Sequence, residues 1–268
     1  MPNQADPATR QPRVLIWNEH IHERTNDQVA SLYPSGIHGA IAALLAADPR
    51  LDVNTATLAD PDCGLAADRL EKTDVLIWWG HAAHGDVSEV AITRAVQRVW
   101  EGMGLIVLHS AHFSKLFKAL MGAPCSLAWR EAGERERLWI TDPYHPITAG
   151  LPPCFELEHE EMYSEPFAIP EPHQTVMLSW FQGGEVFRSG VTYRRGAGKI
   201  FYFRPGHETY PTFYNEHVGQ VLRNAVWWAD NPQPPATDIT QAPNRPDAPE
   251  SLEIRGPRLH KDGDKGFA

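Results

Sequence analysis

The chain has 268 residues, of which 42% are hydrophobic and 22% charged, with a formal net charge of -10. That is enough for one large domain with a substantial core. An acidic chain without a Lys/Arg cluster suits neither nucleic acid nor an anionic membrane surface, and no apolar run is long enough to span a bilayer.

The first element is a short apolar strand, RVLIWN at 13–18, of the kind buried on both faces. The residues before it, 1–12, read as a polar extension without the apolar segment of a signal peptide. A long polar loop, Glu19 to Ser35, is expected next, and loops of that length tend to be functional or disordered. A helix follows with Ile37, Ile41, Leu44 and Leu45 at helical spacing, then a strand LDVNTATL (51–58) and a short helix at 65–72. The strand TDVLIWW (73–79) leads into a helix whose start reads as a capping box of Asp86 and Glu89. Its apolar stripe is Ile92, Ala95, Val96, Val99, Trp100 and Met103. GLIVLH (104–109) is the next strand, followed by a helix from Phe113 to Met121. Strands alternating with amphipathic helices predict βαβ units and a parallel sheet.

After Ala123 the segments shorten and Pro/Gly punctuation increases. ERLWITD, CFELEHE, TVMLSWF, EVFRSGVTYRR and KIFYFR read as mostly antiparallel additions, and Phe213 to Ala229 as a last amphipathic helix. Residues 231–268, rich in Pro and Asp, are expected to be extended or disordered. The organisation is therefore one α/β domain over 13–230 with an extension on either side.

Histidines mark the ends of four strand-like runs: VLIWNEH at His20, VLIWWGH at His81, LIVLH at His109 and KIFYFRPGH at His207. In an open α/β sheet, ligands bind at the carboxyl ends of the strands, so these imidazoles are expected to converge on one pocket. His84 completes a His-x-x-His pair with His81, although such a pair in a loop also serves as a cap or a carbonyl partner. GLIVLHSAHFSK occupies a strand-turn-helix position without the G-x-S-x-G pattern, which favours His109 over Ser110 as the reacting group. His112 lies one step behind. His207 sits beside Glu208, a pairing that suits an oriented base or a supported ligand. The run ELEHEEMYSE places Glu161 near Tyr163; it reads either as a solvated face or as carboxylates alternating into the pocket. Arg188, inside a strand-like run, needs a partner, either a glutamate or a polar substrate. Most of the nine tryptophans are expected in the core; one exposed at the pocket, such as Trp78 or Trp79 directly before His81, would offer an apolar platform for a sugar ring. Cys63, Cys125 and Cys154 lack CxxC spacing, which argues against a disulfide framework or a thiolate metal site and fits reduced cysteines in the cytoplasm. Any metal is left to His and carboxylate ligands. GxGxxG and GxxxxGK[ST] are absent.

YPSGIH, DVLIWWGHAAH, GLIVLHSAHFSK, HPITAGLP, EEMYSEPF and FRSGVTYRRGAGKIFYFRPGHETYPT together resemble the trehalose-utilisation (ThuA-like) family over residues 13–230. The resemblance implies a flavodoxin-like, class I glutamine amidotransferase-like three-layer sandwich without the amidotransferase cysteine. It also implies a role in disaccharide catabolism through 3-keto intermediates, and gives weight to His38 in YPSGIH.

The reading is a cytoplasmic α/β enzyme with a mainly parallel central sheet, acting on a disaccharide or its 3-keto derivative. A divalent metal, zinc or manganese, is expected on His20, His81 and His207, with His38 and His84 as substitutes. His109, Glu161 and Glu208 are the acid–base candidates. Trp79, His112, Tyr163 and Arg188 are assigned to substrate. A homo-oligomer is expected from the Trp and Tyr richness. The alternative is a non-catalytic carbohydrate-binding or regulatory module that retains the cleft.

Overall fold

Alternation along the first strand sets the architecture. In β1 (Arg13–Asn18) Leu15 and Trp17 join one apolar layer while Val14 and Ile16 join the other, because successive side chains of a strand point to opposite faces. The computed structural model describes residues 10–231, 250, 251 and 253. The expected extension before residue 10 and nearly all of the expected tail lie outside them.

The stretch expected as one long loop instead forms α1 (His22–Thr25) and α2 (Asp27–Leu32). The physical reason is local: the Asn26 side chain accepts from the backbone N–H groups of Gln28 and Val29, an N-cap that starts a helix in polar sequence. The chain continues through α3 (Gly36–Leu45), β2 (Asp52–Thr57), α4 (Ala67–Glu71), β3 (Val75–Trp79) and α5 (Glu89–Glu101). The cap of α5 is Ser88, whose hydroxyl accepts from Ala91 N–H at 3.2 Å, not Asp86. β4 (Gly104–Leu108) and α6 (Lys115–Met121) follow, then β5 (Ala128–Ile140), β6 (Cys154–Ser164), β7 (Gln174–Phe181), β8 (Val186–Arg195), β9 (Gly198–Phe203) and α7 (Glu216–Ala229).

These strands form one nine-stranded sheet in the order β2-β1-β3-β4-β9-β8-β7-β5-β6. It is more evenly mixed than expected, with four parallel pairings from β2 to β9 and four antiparallel ones from β9 to β6. Leu76 and Trp78 of β3 and Leu105 and Val107 of β4 pack with α5 and α6 residues such as Val99 and Phe117. Val75, Ile77, Ile106 and Leu108 pack on the other side with Ile41 of α3 and Leu222 of α7. The parallel half is thus covered on both faces, each fully buried aliphatic side chain stabilising it by about 1.5–3 kcal/mol.

Register positions the site. Asn18 lies level with Trp79, Trp79 with Leu108, and Leu108 with Phe203. The residues leaving β1, β3, β4 and β9 therefore stand in a row at the carboxyl edge, on either side of the point where strand order reverses between β1 and β3.

Candidate functional site

Immediately after β4 the chain turns sharply, with His109 at φ +52°, a left-handed conformation uncommon for a side-chain-bearing residue. The turn is held by His109 Nδ1 donating to the Arg204 carbonyl at 3.0 Å and Tyr202 hydroxyl donating to the His109 carbonyl at 3.1 Å. Because a carbonyl can only accept, Nδ1 carries a proton and Nε2 faces the site. Nε2 lies 3.1 Å from Glu161 Oε2 and 3.3 Å from the Tyr163 hydroxyl. The Tyr163 ring stacks on the imidazole with centroids 5.0 Å apart. Ser110 is occupied elsewhere: its hydroxyl donates to the Gly80 carbonyl at 2.9 Å.

Glu161 and Tyr163 belong to β6, the last strand of the sheet. The antiparallel half curls over, so that Tyr163 also packs edge-on against Phe187 of β8. Alternation along β6 sends consecutive carboxylates to opposite sides. Glu161 meets His109, whereas Glu160 points to Arg204. Arg204 is fully buried; its Nη1 donates to the Glu161 carbonyl at 2.6 Å and its Nη2 pairs with Glu136 and, at 3.4 Å, with Glu160. Glu136 also accepts from the Ser179 hydroxyl, and Glu160 from Thr212 and from Gly206 N–H at 3.2 Å. Burial, then the charge of Glu160, push the Glu136 carboxyl upward against the pull of Arg204.

A second cluster stands beside the first. His22 Nε2 and His81 Nδ1 are 2.9 Å apart, and Glu208 Oε1 lies 3.2 Å from His81 Nδ1 and 3.5 Å from His22 Nε2. His207 lies between the clusters, its ring 6.0 Å from that of His81 and 5.4 Å from that of His109. Its Nδ1 and the Thr209 hydroxyl are 2.8 Å apart, and its Nε2 is 3.9 Å from Glu208 Oε2. Both clusters open on a cleft of about 540 Å³.

Of the residues singled out in the sequence, His81, His84, His112, Glu161, Tyr163, His207 and Glu208 line this cleft, and His109 is buried behind it. Four positions fall elsewhere. His20 has φ +55° and its N–H is taken by Asn18 Oδ1 at 2.9 Å, so its ring packs edge-on against His38 instead of facing His81. His38 Nδ1 is 3.0 Å from Asn18 Nδ2, which also donates to Glu23; this pair is a separate polar knot. Trp79 is fully buried, its indole donating to the Gly206 carbonyl at 2.9 Å, and it braces the 205–208 turn instead of offering a platform. Arg188 is taken by Glu165, at 2.7 and 2.9 Å, and by the Phe167 carbonyl. The simpler of its two expected partners is the one present. His84 approaches Phe113 and belongs to neither cluster.

Electrostatics separate the imidazoles. Burial opposes charge on Glu161, but the hydrogen bond and charge of His109, with His207 and His81, outweigh it and hold the carboxyl below its usual range. Glu208 is likewise held far below by His81 and His207 despite burial. For His81, burial is overcome by Glu208, so its pKa rises; burial lowers those of His84 and His207. Burial takes His112 down to about 3. The unfolded chain therefore binds a proton that the folded chain refuses, and stability should fall as pH drops from about 6.5 to about 3, by up to about 1.4 kcal/mol per pH unit. Urea titrations across that window should show a shallower acid dependence for His112→Gln; parallel curves would contradict the assignment.

Several residues of the site escaped the sequence reading. His22 lies in the stretch expected as loop, two positions beyond the strand-end His20. Glu19 accepts from Ala82 and Ala83 N–H at 2.7 and 3.0 Å and so clamps the His81 loop; its place at the exit of β1 was the available signal. Trp129 and Phe113 line the cleft with 64% and 45% exposure, and nothing in their sequence context marks them.

A mixed α/β sheet with a cleft at the carboxyl ends of its parallel strands, lined by imidazoles and carboxylates together with Phe113, Leu127 and Trp129, places the chain among the α/β proteins. The chain belongs to the ThuA family: the family profile, described as trehalose utilisation, matches residues 13–229. No curated protein matches it in sequence. Among solved structures it is similar to a ThuA-like protein from Parabacteroides merdae ATCC 43184, with a TM-score of 0.64, 15% identity, and coverage of 85% of this chain and 93% of that one. A ThuA-like protein from Bacteroides uniformis ATCC 8492 aligns with a TM-score of 0.60 at 16% identity over 87% and 98% of the two chains. A protein of Salmonella typhimurium LT2 described as cytoplasmic aligns with a TM-score of 0.56 at 13% identity over 82% and 100%. At these identities the likeness concerns the fold. Among the described residues, no helix is long and apolar enough to cross a membrane.

Proposed function

We propose that the chain is an enzyme of disaccharide utilisation, acting on a disaccharide or its 3-keto derivative by acid–base chemistry assisted by a divalent cation. The observation that carries this reading is the buried His109–Glu161 pair, 3.1 Å apart behind a cleft of about 540 Å³. That volume lies within the range of small-molecule sites. The scaffold is read as amidotransferase-like, with His109 standing at the elbow in place of a cysteine nucleophile.

In a 3-keto-glycoside the C2 hydrogen is acidified by the adjacent carbonyl. The Glu161–His109 pair is suited to remove that proton. The C2–H electron pair then forms the C1=C2 bond as the C1–O bond breaks, and the departing oxygen takes a proton from a neighbouring acid. Tyr163, whose hydroxyl is pushed well above its usual range by burial and then by Glu161, stays protonated and serves as a hydrogen-bond donor. A divalent cation among the cleft's imidazoles and Glu208 would polarise the keto oxygen.

The exposed faces of Trp129 and Phe113 at the cleft supply the apolar surface on which the C–H face of a sugar ring packs. Trp129→Ala is expected to raise KM for the disaccharide about tenfold, a loss of roughly 1.4 kcal/mol, with a smaller change in kcat and an unchanged melting temperature. Steady-state kinetics on 3-keto-trehalose and related 3-keto-disaccharides test the proposal. Turnover abolished by His109→Ala supports it. Binding of these sugars without turnover by the wild-type protein would replace it with a carbohydrate-binding module.

A further inference from the structure

His22, His81 and Glu208 present three donor atoms to one another with separations of 2.9, 3.2 and 3.5 Å. A tetrahedral zinc ion with ligand bonds near 2.0–2.1 Å separates its ligand atoms by about 3.3 Å, so the three edges bracket one face of that tetrahedron. Hydrogen bonding alone satisfies this triangle poorly. The single hydrogen on His81 Nδ1 can point at Glu208 or at His22, not at both, and the third contact is then left without a proton of its own. A cation placed above the triangle meets all three lone pairs together.

A second observation points the same way. Glu208 is 4% exposed, and its remaining oxygen, Oε2, is buried without a hydrogen-bond partner. A carboxylate buried in that state is costly unless a cation compensates it. All three residues line the cleft, so the fourth tetrahedral vertex faces the substrate volume.

We infer that His22, His81 and Glu208 form a three-ligand zinc site with its fourth position open to the cleft. Two imidazoles and one carboxylate favour zinc over manganese, which prefers oxygen donors. Three protein ligands with one open vertex is the arrangement of catalytic zinc, not of a closed structural site. Glu19 holds the loop that carries His81 by accepting from two of its amides, the kind of support that orients metal ligands. The neighbouring group of His109, Glu161 and His207 also brings its donor atoms within 4.8 Å of one another. There Glu161 Oε2 is likewise buried without a hydrogen-bond partner, but the Tyr163 hydroxyl stands 3.3 Å from His109 Nε2 and brings a proton to that cluster. The site deepens the proposed function by dividing its labour, with the cation on one cluster and the proton on the other.

The test is zinc content. The full-length protein is stripped with chelator, dialysed against zinc and measured by elemental analysis, with cobalt-substituted protein read by visible absorption. The expected result is one zinc per chain and a tetrahedral cobalt spectrum, both lost in His22→Ala and Glu208→Gln and both kept in His109→Ala. Circular dichroism melts of each variant separate loss of the site from loss of the fold, and a variant that does not fold is replaced by His22→Gln, expected to lose zinc too. Zinc kept in folded His22 and Glu208 variants but lost in His109→Ala or His207→Ala would move the cation to the other cluster and overturn the assignment. Absence of bound zinc in the wild-type protein overturns it also. Zinc bound as expected, with no turnover of keto-disaccharides, leaves the metal site standing and removes the proposed reaction.

Discussion

Glu161→Gln is expected to lower turnover of a 3-keto-disaccharide by about 10²–10⁴-fold, the range contributed by a positioned general acid or base. The substitution keeps the shape of a side chain that is only 4% exposed and removes both its charge beside His109 and its ability to take a proton. KM should change less than kcat, and the melting temperature should stay close to that of the wild type. His109→Gln should be comparably slow. The double variant should be little slower than either single one, because two groups that act as a unit lose their function once. Stopped-assay kinetics of the four proteins decide the matter. Wild-type turnover in Glu161→Gln, or losses that multiply in the double variant, would remove Glu161 from proton transfer with His109.

The largest stability effect is expected at Arg204. Its guanidinium and the carboxylates of Glu136 and Glu160 are all fully buried. Arg204→Met leaves two acidic groups in the interior without their cation, a change that costs about 3–5 kcal/mol. For a chain of this size that corresponds to a fall in melting temperature on the order of 10 °C. The same side chain donates to the Glu161 carbonyl at 2.6 Å, so the surviving folded fraction should also turn over more slowly. Neutralising the acids together with the arginine, in Arg204→Met with Glu136→Gln and Glu160→Gln, should recover much of the stability. Urea unfolding of the single and triple variants reads this directly. A single variant within 1 kcal/mol of wild type would mean that the cluster does not stabilise the fold.

How much of this was legible in the sequence depends on the range of the interactions involved. The parallel half was readable because its strands are short, continuous apolar runs separated by amphipathic helices, and such runs have few alternative placements. The histidine at the end of β4 could be identified as the residue of the turn, because the segment lacks both a serine-elbow glycine pattern and a cysteine. Arg188 was readable too: a cation inside a strand needs a partner, and Glu165 supplies it. The stretch expected as a loop shows the limit of local reading: Asn26 caps α2, whereas His22 enters the cleft from α1, which has no side-chain cap to mark it.

What the sequence alone determined is the carboxyl-edge location of the site, the imidazole and carboxylate chemistry available there, and the family to which the chain belongs. Register along the parallel strands makes the exits of β3, β4 and β9 coincide, and because these strands are apolar on both faces their own alternation does not specify it. Only the tertiary structure decided which strand-end histidines face one another. His20 turns toward His38 because a left-handed backbone and one Asn18 hydrogen bond redirect its ring, and His22 takes the place beside His81. Only tertiary structure, likewise, brings Glu161 from the far edge of the sheet to His109 and Trp129 to the cleft mouth. Those contacts depend on the curl of the antiparallel half, a property of many strands packing together that no local stretch of sequence encodes.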